Sequence, residues 1–331
     1  MRTFESTSAD GAWKKAFAAL RACRVSTPSR AGHTVELLHC ALEISDPRQR
    51  WVESRSPAMN VAFAIAEVIG ILNGRRDSDY LTFFNRNLPA FAGQGPTFHG
   101  AYGYRLRRES GIDQLLRAYE ILSTNRDSRQ VVLQIWDPVL DLPSSDGNPR
   151  SPDIPCNISS LLKVRNGKLH WMQIMRSNDV FRGLPYNIVQ FTTLHEVVAG
   201  WLSLDLGSYC LAVDSLHLYT NDLENGVGAT EVRSRKNHDT LGLPKSESDE
   251  LWGLMNERLD CLIDSQNCCK SFKELYTLPH TGLQNLMKIL SAEAARRSGK
   301  LSMAREIVDS CTNKLLARMW GRWADERRLA K

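Results

Sequence analysis

The sequence predicts an α/β fold of the α+β type, and three observations support this prediction. Strand-like runs lie on either side of Asn166-Gly167, and Asn-Gly between apolar runs is the strongest short signal for a β-hairpin. The runs 61–72 and 184–201 have the length and apolar content of helices. From residue 247 onward the chain becomes helical and charged, which predicts a helical C-terminal extension.

Size and composition limit the class of protein before any motif is considered. A chain of 331 residues with 42% hydrophobic residues can bury one sizeable core plus an appendage. The net charge of +5 suits an anionic small molecule and is weaker than the basic face of a duplex-binding protein. The eight cysteines lack the spacing of a disulfide framework or a zinc site, and no run has the pattern of a secretory signal or the length of a membrane span. We therefore expect a cytoplasmic protein with no metal, and with neither a membrane nor a nucleic-acid polymer as a partner.

The N-terminal segment 8–22 has the apolar spacing of an amphipathic helix, with Trp13 on its apolar side. The next segment, 23–32, is predicted to be a polar loop rich in small residues and arginine. Small residues let a backbone approach a phosphate, and either Arg24 or Arg30 has a guanidinium that can hold it with two hydrogen bonds. The alternative is an exposed loop that is merely solvated.

The run 61–72 is nearly all apolar, and it carries one carboxylate, Glu67, at its centre. Burial of an unpaired carboxylate raises its pKa towards the range that is useful for proton transfer. The alternative is a glutamate that faces solvent on an amphipathic helix. Because apolar residues occupy most positions around the helix, the sequence favours a functional Glu67.

The segment 75–107 is predicted to be loop-like, and Tyr102 lies near its end. A helix is predicted at 111–125 and a strand at 131–136. Arg129 lies between the predicted helix and the predicted strand. The simplest role for an arginine at this position is to cap the end of the helix.

The hairpin runs are 159–164 and 169–175, so Cys156 precedes one strand and Arg176 follows the other. Antiparallel pairing places residues at equal distances from the turn side by side, which predicts that the thiol and the guanidinium lie close together. A neighbouring cation favours the thiolate form of a cysteine. The alternative is a buried structural cysteine and an unrelated surface arginine.

Three further segments complete the prediction. The run 184–201 begins with a proline suited to a first helical turn, which also contains Asn187. The run 211–219 predicts a strand with polar residues on one face, for which polar alternation on an edge strand is the alternative. These polar residues are Ser215, His217 and Tyr219. In the C-terminal extension, helices are predicted at 286–297 and 304–328.

Several polar blocks, taken in chain order, resemble the signature of the thymidylate synthase and pyrimidine-nucleotide hydroxymethylase superfamily. They are Pro155-Cys156, Arg176-Ser177-x-Asp179, Gly183-x-Pro185-x-Asn187 and His217-x-Tyr219. The resemblance includes the helix with Glu67, reaches back to about residue 24 and stops near Asp222. It implies a mixed, largely antiparallel sheet flanked by helices, with a catalytic domain at 1–245 and a helical extension at 246–331 packed on the same domain.

The resemblance also implies a role for each block. Cys156 would be the nucleophile, Tyr102 would approach it, Glu67 would relay protons through water, and Asn187 would read the base. The ribose 3′-hydroxyl would be held by His217 and Tyr219, and methylenetetrahydrofolate would be faced by Asp179 and Gly183. The phosphate would be held by Arg176, Ser177, Arg129 and one of Arg24 and Arg30. In the superfamily the arginine matching Arg129 acts in the partner's site, which implies a homodimer.

Three departures from thymidylate synthases favour the addition of water over the transfer of hydride. The stretch 81–89 lacks the tryptophan that contacts folate, Cys156-Asn157 replaces the usual Cys-His pair, and the C-terminus is helical. They predict 5-hydroxymethylation of a pyrimidine nucleotide. The chain most resembles the cytidylate hydroxymethylases of nucleoside-antibiotic pathways and phages, which implies CMP or dCMP as the substrate. Asn187 is a contrary signal because thymidylate synthases use asparagine there to read uracil. A divergent thymidylate synthase acting on dUMP and a non-catalytic nucleotide-binding relative are the alternatives, and ribose and deoxyribose both stay open.

Overall fold

A computed structural model describes residues 1–29, 32–227, 236–264 and 268–329. Its strands are β1 (Arg2–Ser6), β2 (Ser26–Ser29), β3 (Gly32–Ile44), β4 (Arg55–Ser56), β5 (Val132–Gln134), β6 (Asn157–Arg165), β7 (Lys168–Asp179), β8 (Asp205–Tyr219) and β9 (Gly226–Val227). The main sheet has the order β1-β3-β8-β7-β6-β5, with β2 also paired to β3, while β4 and β9 form a separate pair. Only the pairs β1–β3 and β7–β8 are parallel in this sheet. The predicted mixed, largely antiparallel sheet is confirmed.

The helices lie around this sheet and in the C-terminal part of the chain. They are α1 (Ala9–Arg21), α2 (Val61–Leu72), α3 (Asp79–Phe84), α4 (Pro89–Ala92), α5 (Tyr102–Tyr104), α6 (Gln114–Thr124), α7 (Pro138–Asp141), α8 (Leu184–Trp201), α9 (Lys245–Ile263), α10 (Phe272–Tyr276), α11 (Thr281–Arg297), α12 (Leu301–Asp309) and α13 (Lys314–Leu329). No helix in the described part of the chain is long and apolar enough to cross a membrane.

The predicted hairpin and the two main predicted helices are confirmed. Asn166 and Gly167 both have positive φ at the tip of the β6–β7 hairpin, the conformation that favours Asn-Gly at this turn. Helix α2 is buried on nearly all sides because helices α3, α5, α8, α9, α11 and α13 all pack against it. This packing explains why its sequence is apolar all round.

Three predictions about local structure were wrong. The segment 75–107 contains three short helices and one π turn rather than loop alone. The segment 23–32 contains β2, whose four residues are all exposed, so no apolar alternation marked it as a strand. The predicted helix 304–328 is broken into α12 and α13, because the Asn313 side chain accepts hydrogen bonds from the backbone of Leu315 and Leu316 and starts a new helix.

The position of β8 also corrects one alternative. This strand begins at Asp205 and lies between β3 and β7, so it is an interior strand and not an edge. Leu216 and Leu218 on one face are fully buried, while His217 and Tyr219 on the other are partly exposed. The polar face of β8 therefore lies near the middle of the sheet and is not at a solvated edge.

Candidate active site

Cys156 and Arg176 lie together at the open end of the β6–β7 hairpin, as equal distances from the turn predicted. The Arg176 backbone N–H donates to the Cys156 carbonyl at 3.0 Å, and its Nη2 lies 3.8 Å from Cys156 Sγ. The guanidinium also donates to the carbonyls of Pro155 (2.9 Å) and Ile154 (3.0 Å). These two bonds fix the cation beside the sulfur, a position in which it can stabilise a thiolate.

Cys156 lines a cavity of about 230 Å³ between the start of β6 and helices α2, α5 and α8. One part of its wall is polar, with Glu67, Tyr102 and Asn187, and another part is apolar, formed by the α3–α4 region and Phe98. The apolar members of the α3–α4 region are Leu81, Leu88 and Ala92. This arrangement can hold a flat, partly apolar ligand against a polar reaction centre.

Glu67 enters this cavity from the middle of α2, and its Oε2 is buried without a hydrogen-bond partner among the described residues. Burial raises the pKa of Glu67 to about 8, and a hydrogen bond from Gln190 acts in the opposite direction. A carboxyl group with this pKa can both hold and release a proton near neutral pH. The predicted solvent-facing alternative for Glu67 is therefore wrong.

Tyr102 reaches the cavity because Gly103 lets α5 approach α2 closely. A Cβ at Gly103 would stand 2.6 Å from the Cα of Ile71, so any side chain there would push α5 away. Burial raises the pKa of the Tyr102 hydroxyl, and the nearby charge of Cys156 acts in the same direction. Tyr102 is therefore a neutral hydrogen-bonding group next to the thiol.

Asn157, which follows Cys156, is fully buried and does not line the cavity. Its Oδ1 accepts a hydrogen bond from Gln173 Nε2 at 2.7 Å, while its Nδ2 has no partner among the described residues. Asn157 stands where thymidylate synthases carry histidine, so this replacement changes the buried side chains next to the thiol.

Asn187 lies in the first turn of α8, where the sequence predicted it, and also lines the cavity. Its Nδ2 donates to Oε1 of Gln190 at 3.0 Å. Gln190 is 3% exposed and was missed in the sequence analysis. A glutamine three residues after Asn187 in a mostly apolar helix is the signal that could have revealed it, because residues at this spacing share a helix face.

Asp179 ends β7 near the N-terminus of α8. Its Oδ1 accepts hydrogen bonds from the backbone of Phe181 and Arg182, both at 2.7 Å, and its Oδ2 is buried without a partner among the described residues. Burial raises the pKa of Asp179, and the two backbone bonds and the neighbouring His217 oppose this shift. Gly183 follows on the same turn, and a Cβ there would lie 3.6 Å from Asn187 Oδ1.

Ser177, His217 and Tyr219 form a second polar group at the ends of β7 and β8. Ser177 Oγ and His217 Nδ1 are 3.4 Å apart, and the rings of His217 and Tyr219 meet edge to face at 5.6 Å. Arg182 stacks over the Tyr219 ring at 4.5 Å and pairs with Asp222 at 2.6 Å. Among the described residues, this group, which we call the strand-end face, lies outside the lining of the cavity.

The other predicted phosphate ligands are Arg24, Arg30 and Arg129. Arg24 is exposed before β2, and Arg30 lies outside the described residues. Arg129 is exposed near Val164, because β5 runs antiparallel to β6 with Val132 opposite Leu161. At about 3.3 Å per residue, Arg129 is roughly 25 Å from Cys156 along the strand.

Comparison with known proteins agrees with the geometry. The family model described as thymidylate synthase matches residues 55–258, which include the cavity and the strand-end face. The chain belongs to the thymidylate synthase family. Its fold is the one expected of that family, with the C-terminal helices α10–α13 beyond the matched region.

Three relatives illustrate this membership. The deoxyuridylate hydroxymethyltransferase of Bacillus phage SP01 is 35% identical over 198 residues, 56% of this chain and 51% of that protein. The protein of the same name from Pseudomonas phage M6 is 35% identical over 162 residues, 48% of this chain and 45% of that protein. A thymidylate synthase of Francisella tularensis subsp. holarctica is 27% identical over 199 residues, 56% of this chain and 69% of that protein. The matches to the phage proteins span about half of their length.

Proposed function

We propose that this protein is a folate-dependent one-carbon transferase that hydroxymethylates C5 of a pyrimidine nucleoside monophosphate. The observation that carries this proposal is the shared cavity of Cys156, Glu67 and Asn187, with Arg176 Nη2 3.8 Å from the sulfur. This cavity offers a nucleophile, a proton carrier and a base-reading carboxamide within one enclosure. The apolar wall of the cavity and Glu67 Oε2, which has no hydrogen-bond partner among the described residues, fit a bound pterin.

The chemistry requires these groups to act together. Carbon C5 of a pyrimidine is a poor nucleophile until a thiolate adds to C6, and Cys156 would form that C6–S bond with Arg176 stabilising the thiolate. Methylenetetrahydrofolate supplies the one-carbon unit. Asn187 would read the base edge, Tyr102 and Glu67 would move protons through water, and Asp179 and Gly183 would face the pterin. No metal is needed for these steps.

At the strand-end face, His217 and Tyr219 would hold the ribose 3′-hydroxyl, and Ser177 would bind the phosphate. Arg176 and one of Arg24 and Arg30 would bind the same phosphate.

Addition of water, rather than of hydride, is favoured by three observations. The cavity wall formed by the α3–α4 region contains leucine and alanine where thymidylate synthases carry tryptophan. Asn157 replaces histidine beside the nucleophile. The two phage relatives at 35% identity are named hydroxymethyltransferases, whereas the thymidylate synthase is 27% identical.

The base is the finer part of the proposal. Our first candidate is a cytidylate, CMP or dCMP, because the chain resembles the hydroxymethylases of nucleoside-antibiotic pathways and because the Asn187 carboxamide can serve N3 and N4 of cytosine. Deoxyuridylate is the second candidate, because the phage relatives are named for it and because Asn187 can serve either base. Both candidates use the same cavity and the same nucleophile.

One experiment tests the function and the base together. The protein is incubated with methylenetetrahydrofolate and, separately, CMP, dCMP, UMP or dUMP, and each nucleotide is analysed by mass spectrometry. We expect one of the four to gain a CH2OH group on C5, with a cytidylate as the first candidate. A methylated base would move the protein to the thymidylate synthase branch, and no covalent change in any of them would contradict an enzymatic role.

We further propose a cytoplasmic homodimer that uses the exposed face of the main sheet. Leu161, Met172 and Cys210 lie side by side across β6, β7 and β8, and each is partly exposed. A second copy packed on this apolar row would bring its Arg129 towards the phosphate end of the site. Solution scattering at micromolar concentration should give the mass of a dimer, and a monomer would contradict this part of the proposal.

A further inference from the structure

Part of the apolar wall of the cavity is carried by a short helix whose end is held by an arginine of the C-terminal helices. Helix α3 supplies Tyr80 and Leu81 to the lining of the cavity. At the C-terminus of α3, the Phe84 carbonyl accepts a hydrogen bond from Arg297 Nη2 at 2.7 Å. The same guanidinium lies over the ring of Phe83, 5.6 Å from its centroid. Arg297, the last residue of α11, therefore contacts the end of α3 in two ways.

A buried carboxylate fixes the direction in which the Arg297 side chain points. Glu293, one turn earlier on α11, is fully buried, and its Oε1 accepts a hydrogen bond from Arg297 Nε at 2.8 Å. Arg296 donates two hydrogen bonds to the same carboxylate, both at 2.8 Å, and Trp320 of α13 also donates to it at 3.3 Å. Because a planar guanidinium can serve two acceptors at once, Arg297 links Glu293 on α11 with α3.

Helix α3 depends on such contacts because it is short. It has six residues, and Ser78 at its N-terminus makes no side-chain capping bond to the described residues. A helix of this length is marginal on its own and takes its stability from tertiary packing. Its last carbonyl, that of Phe84, accepts a second hydrogen bond from Asn60 Nδ2 at 2.8 Å. The positive charge of Arg297 near this end also interacts favourably with the helix dipole.

We propose that Arg297 is a positioning residue for the folate wall, the apolar side of the cavity formed by α3 and α4. By holding the end of α3 against α11, it keeps Leu81 in position to pack against the folate. The proposal rests on the proposed function, because it concerns the co-substrate that this cavity would bind. Arg297 lies beyond residues 55–258, which the family model matches, so the contacts of this chain alone support the assignment.

The substitution Arg297→Gln isolates the contact with α3. The amide nitrogen of a glutamine stands where Nε of an arginine stands, so it can still donate to Glu293 but does not reach Phe84. Arg296→Gln is the matched control, since Arg296 shares the Glu293 carboxylate and is buried to a similar extent. The exposed fraction of the side chain is 16% for Arg296 and 13% for Arg297. Among the described residues, the hydrogen bonds of the Arg296 side chain go to Glu293 alone.

The readout is the KM for methylenetetrahydrofolate, measured beside kcat and the KM for the nucleotide that the wild type converts. Arg297→Gln should raise the KM for folate by about 10-fold, the effect expected when one charge-assisted hydrogen bond that orders the wall is lost. Its kcat at saturating folate and its KM for nucleotide should stay within about 3-fold of the wild type, because the proposed nucleotide contacts lie on other elements. Arg296→Gln should keep all three values. Circular dichroism and Tm establish that both variants are folded.

Hydrogen exchange measures the hold on α3 without any ligand. The Asn85 N–H donates to the Leu81 carbonyl at 2.8 Å at the end of this helix. In Arg297→Gln this amide should exchange about 10-fold faster than in the wild type, because local opening of α3 becomes easier. In Arg296→Gln it should exchange at the wild-type rate.

A wild-type KM for folate in folded Arg297→Gln would overturn the proposal. An equal rise in the KM for nucleotide, or an equal rise in the KM for folate in Arg296→Gln, would overturn it too, because either result would indicate a general loss of structure. Absence of any C5 product from the wild type would instead contradict the proposed function. In that case the exchange rate of the Asn85 amide still tests whether Arg297 holds α3, since it requires no substrate. The two failures are therefore distinguishable.

Discussion

The cavity around Cys156 and the strand-end face, which we propose to form one site, are built differently. In the cavity, the polar side chains are held by their own chain, through bonds such as those of Arg176 to backbone carbonyls and of Gln190 to Asn187. At the strand-end face, His217 and Tyr219 are partly exposed, and Arg129 lies at the far end of β6. One chain therefore assembles the groups that we propose to react, whereas in our proposal the phosphate end also uses Arg129 from a second copy.

Loss of the nucleophile is the strongest way to test the cavity side of this comparison. We expect Cys156→Ala to lower kcat by at least about 10⁴-fold, because no other group can add to C6 of the base. Nucleotide Kd from calorimetry should change by less than about 3-fold, since the phosphate and ribose contacts are separate from the thiol. Cys40→Ala, which alters a buried thiol of β3, is the control and should keep its turnover. Turnover retained in Cys156→Ala would break the assignment.

The second prediction concerns Glu67 and is expected to have an intermediate effect. Glu67→Gln should lower kcat roughly 100- to 1000-fold, because an amide cannot carry the proton. The measurement is kcat from product formation under saturating nucleotide and folate. A Glu67→Gln variant with wild-type kcat would show that proton relay takes another route.

The same substitution predicts a change in stability with pH. Burial raises the pKa of Glu67 from 4.5 to about 8, so the folded protein keeps a proton that the unfolded chain releases between these values. Glu67 therefore costs no stability at pH 4, and its penalty grows as the pH rises to 8. Relative to the wild type, Glu67→Gln should gain on the order of 2 kcal/mol in the free energy of unfolding between pH 5 and 8. Urea titrations at both pH values measure this gain, and its absence would mean that Glu67 is solvated.

The smallest expected effect belongs to the phosphate end. If Arg129 acts in the site of a second copy, Arg129→Ala should raise the KM for nucleotide by about 10-fold with little change in kcat. This is the effect expected when one charge-assisted hydrogen bond to the phosphate is lost. Arg117→Ala is the control of equal charge, because Arg117 is exposed on α6 and pairs with Glu120. Equal KM values for the two variants would remove Arg129 from the site.

The sequence predicted the cavity better than the strand-end face for a physical reason. The positions of Glu67 and Cys156 were predictable from local sequence patterns. Glu67 is a carboxylate within an apolar helix, and Cys156 lies at a known distance from a hairpin turn. Gln190 was missed because its role depends on packing of α8 against α2, which no local pattern reveals. The proposed role of Arg129 would depend on an interface with a second copy, which a pattern within one chain does not describe.

The same limit explains the errors in the fold. Helices α2 and α8 were predictable because each has a continuous apolar pattern and clear ends. The break between α12 and α13 depends on the Asn313 side chain caught between Asn237, Asp239 and the next helix, which are contacts between distant parts of the chain. Edge strand β2 is exposed at every position and pairs only with β3 among the described strands.

The most direct test of the central claim is the origin of the oxygen in the product. The preferred nucleotide is incubated with methylenetetrahydrofolate in water enriched in oxygen-18, and both nucleotide and folate are analysed by mass spectrometry. We predict a C5 hydroxymethyl group that carries solvent oxygen-18, together with tetrahydrofolate in equal amount. A methyl group on C5 together with dihydrofolate would contradict the account, because it would mean that the cavity delivers hydride and not water.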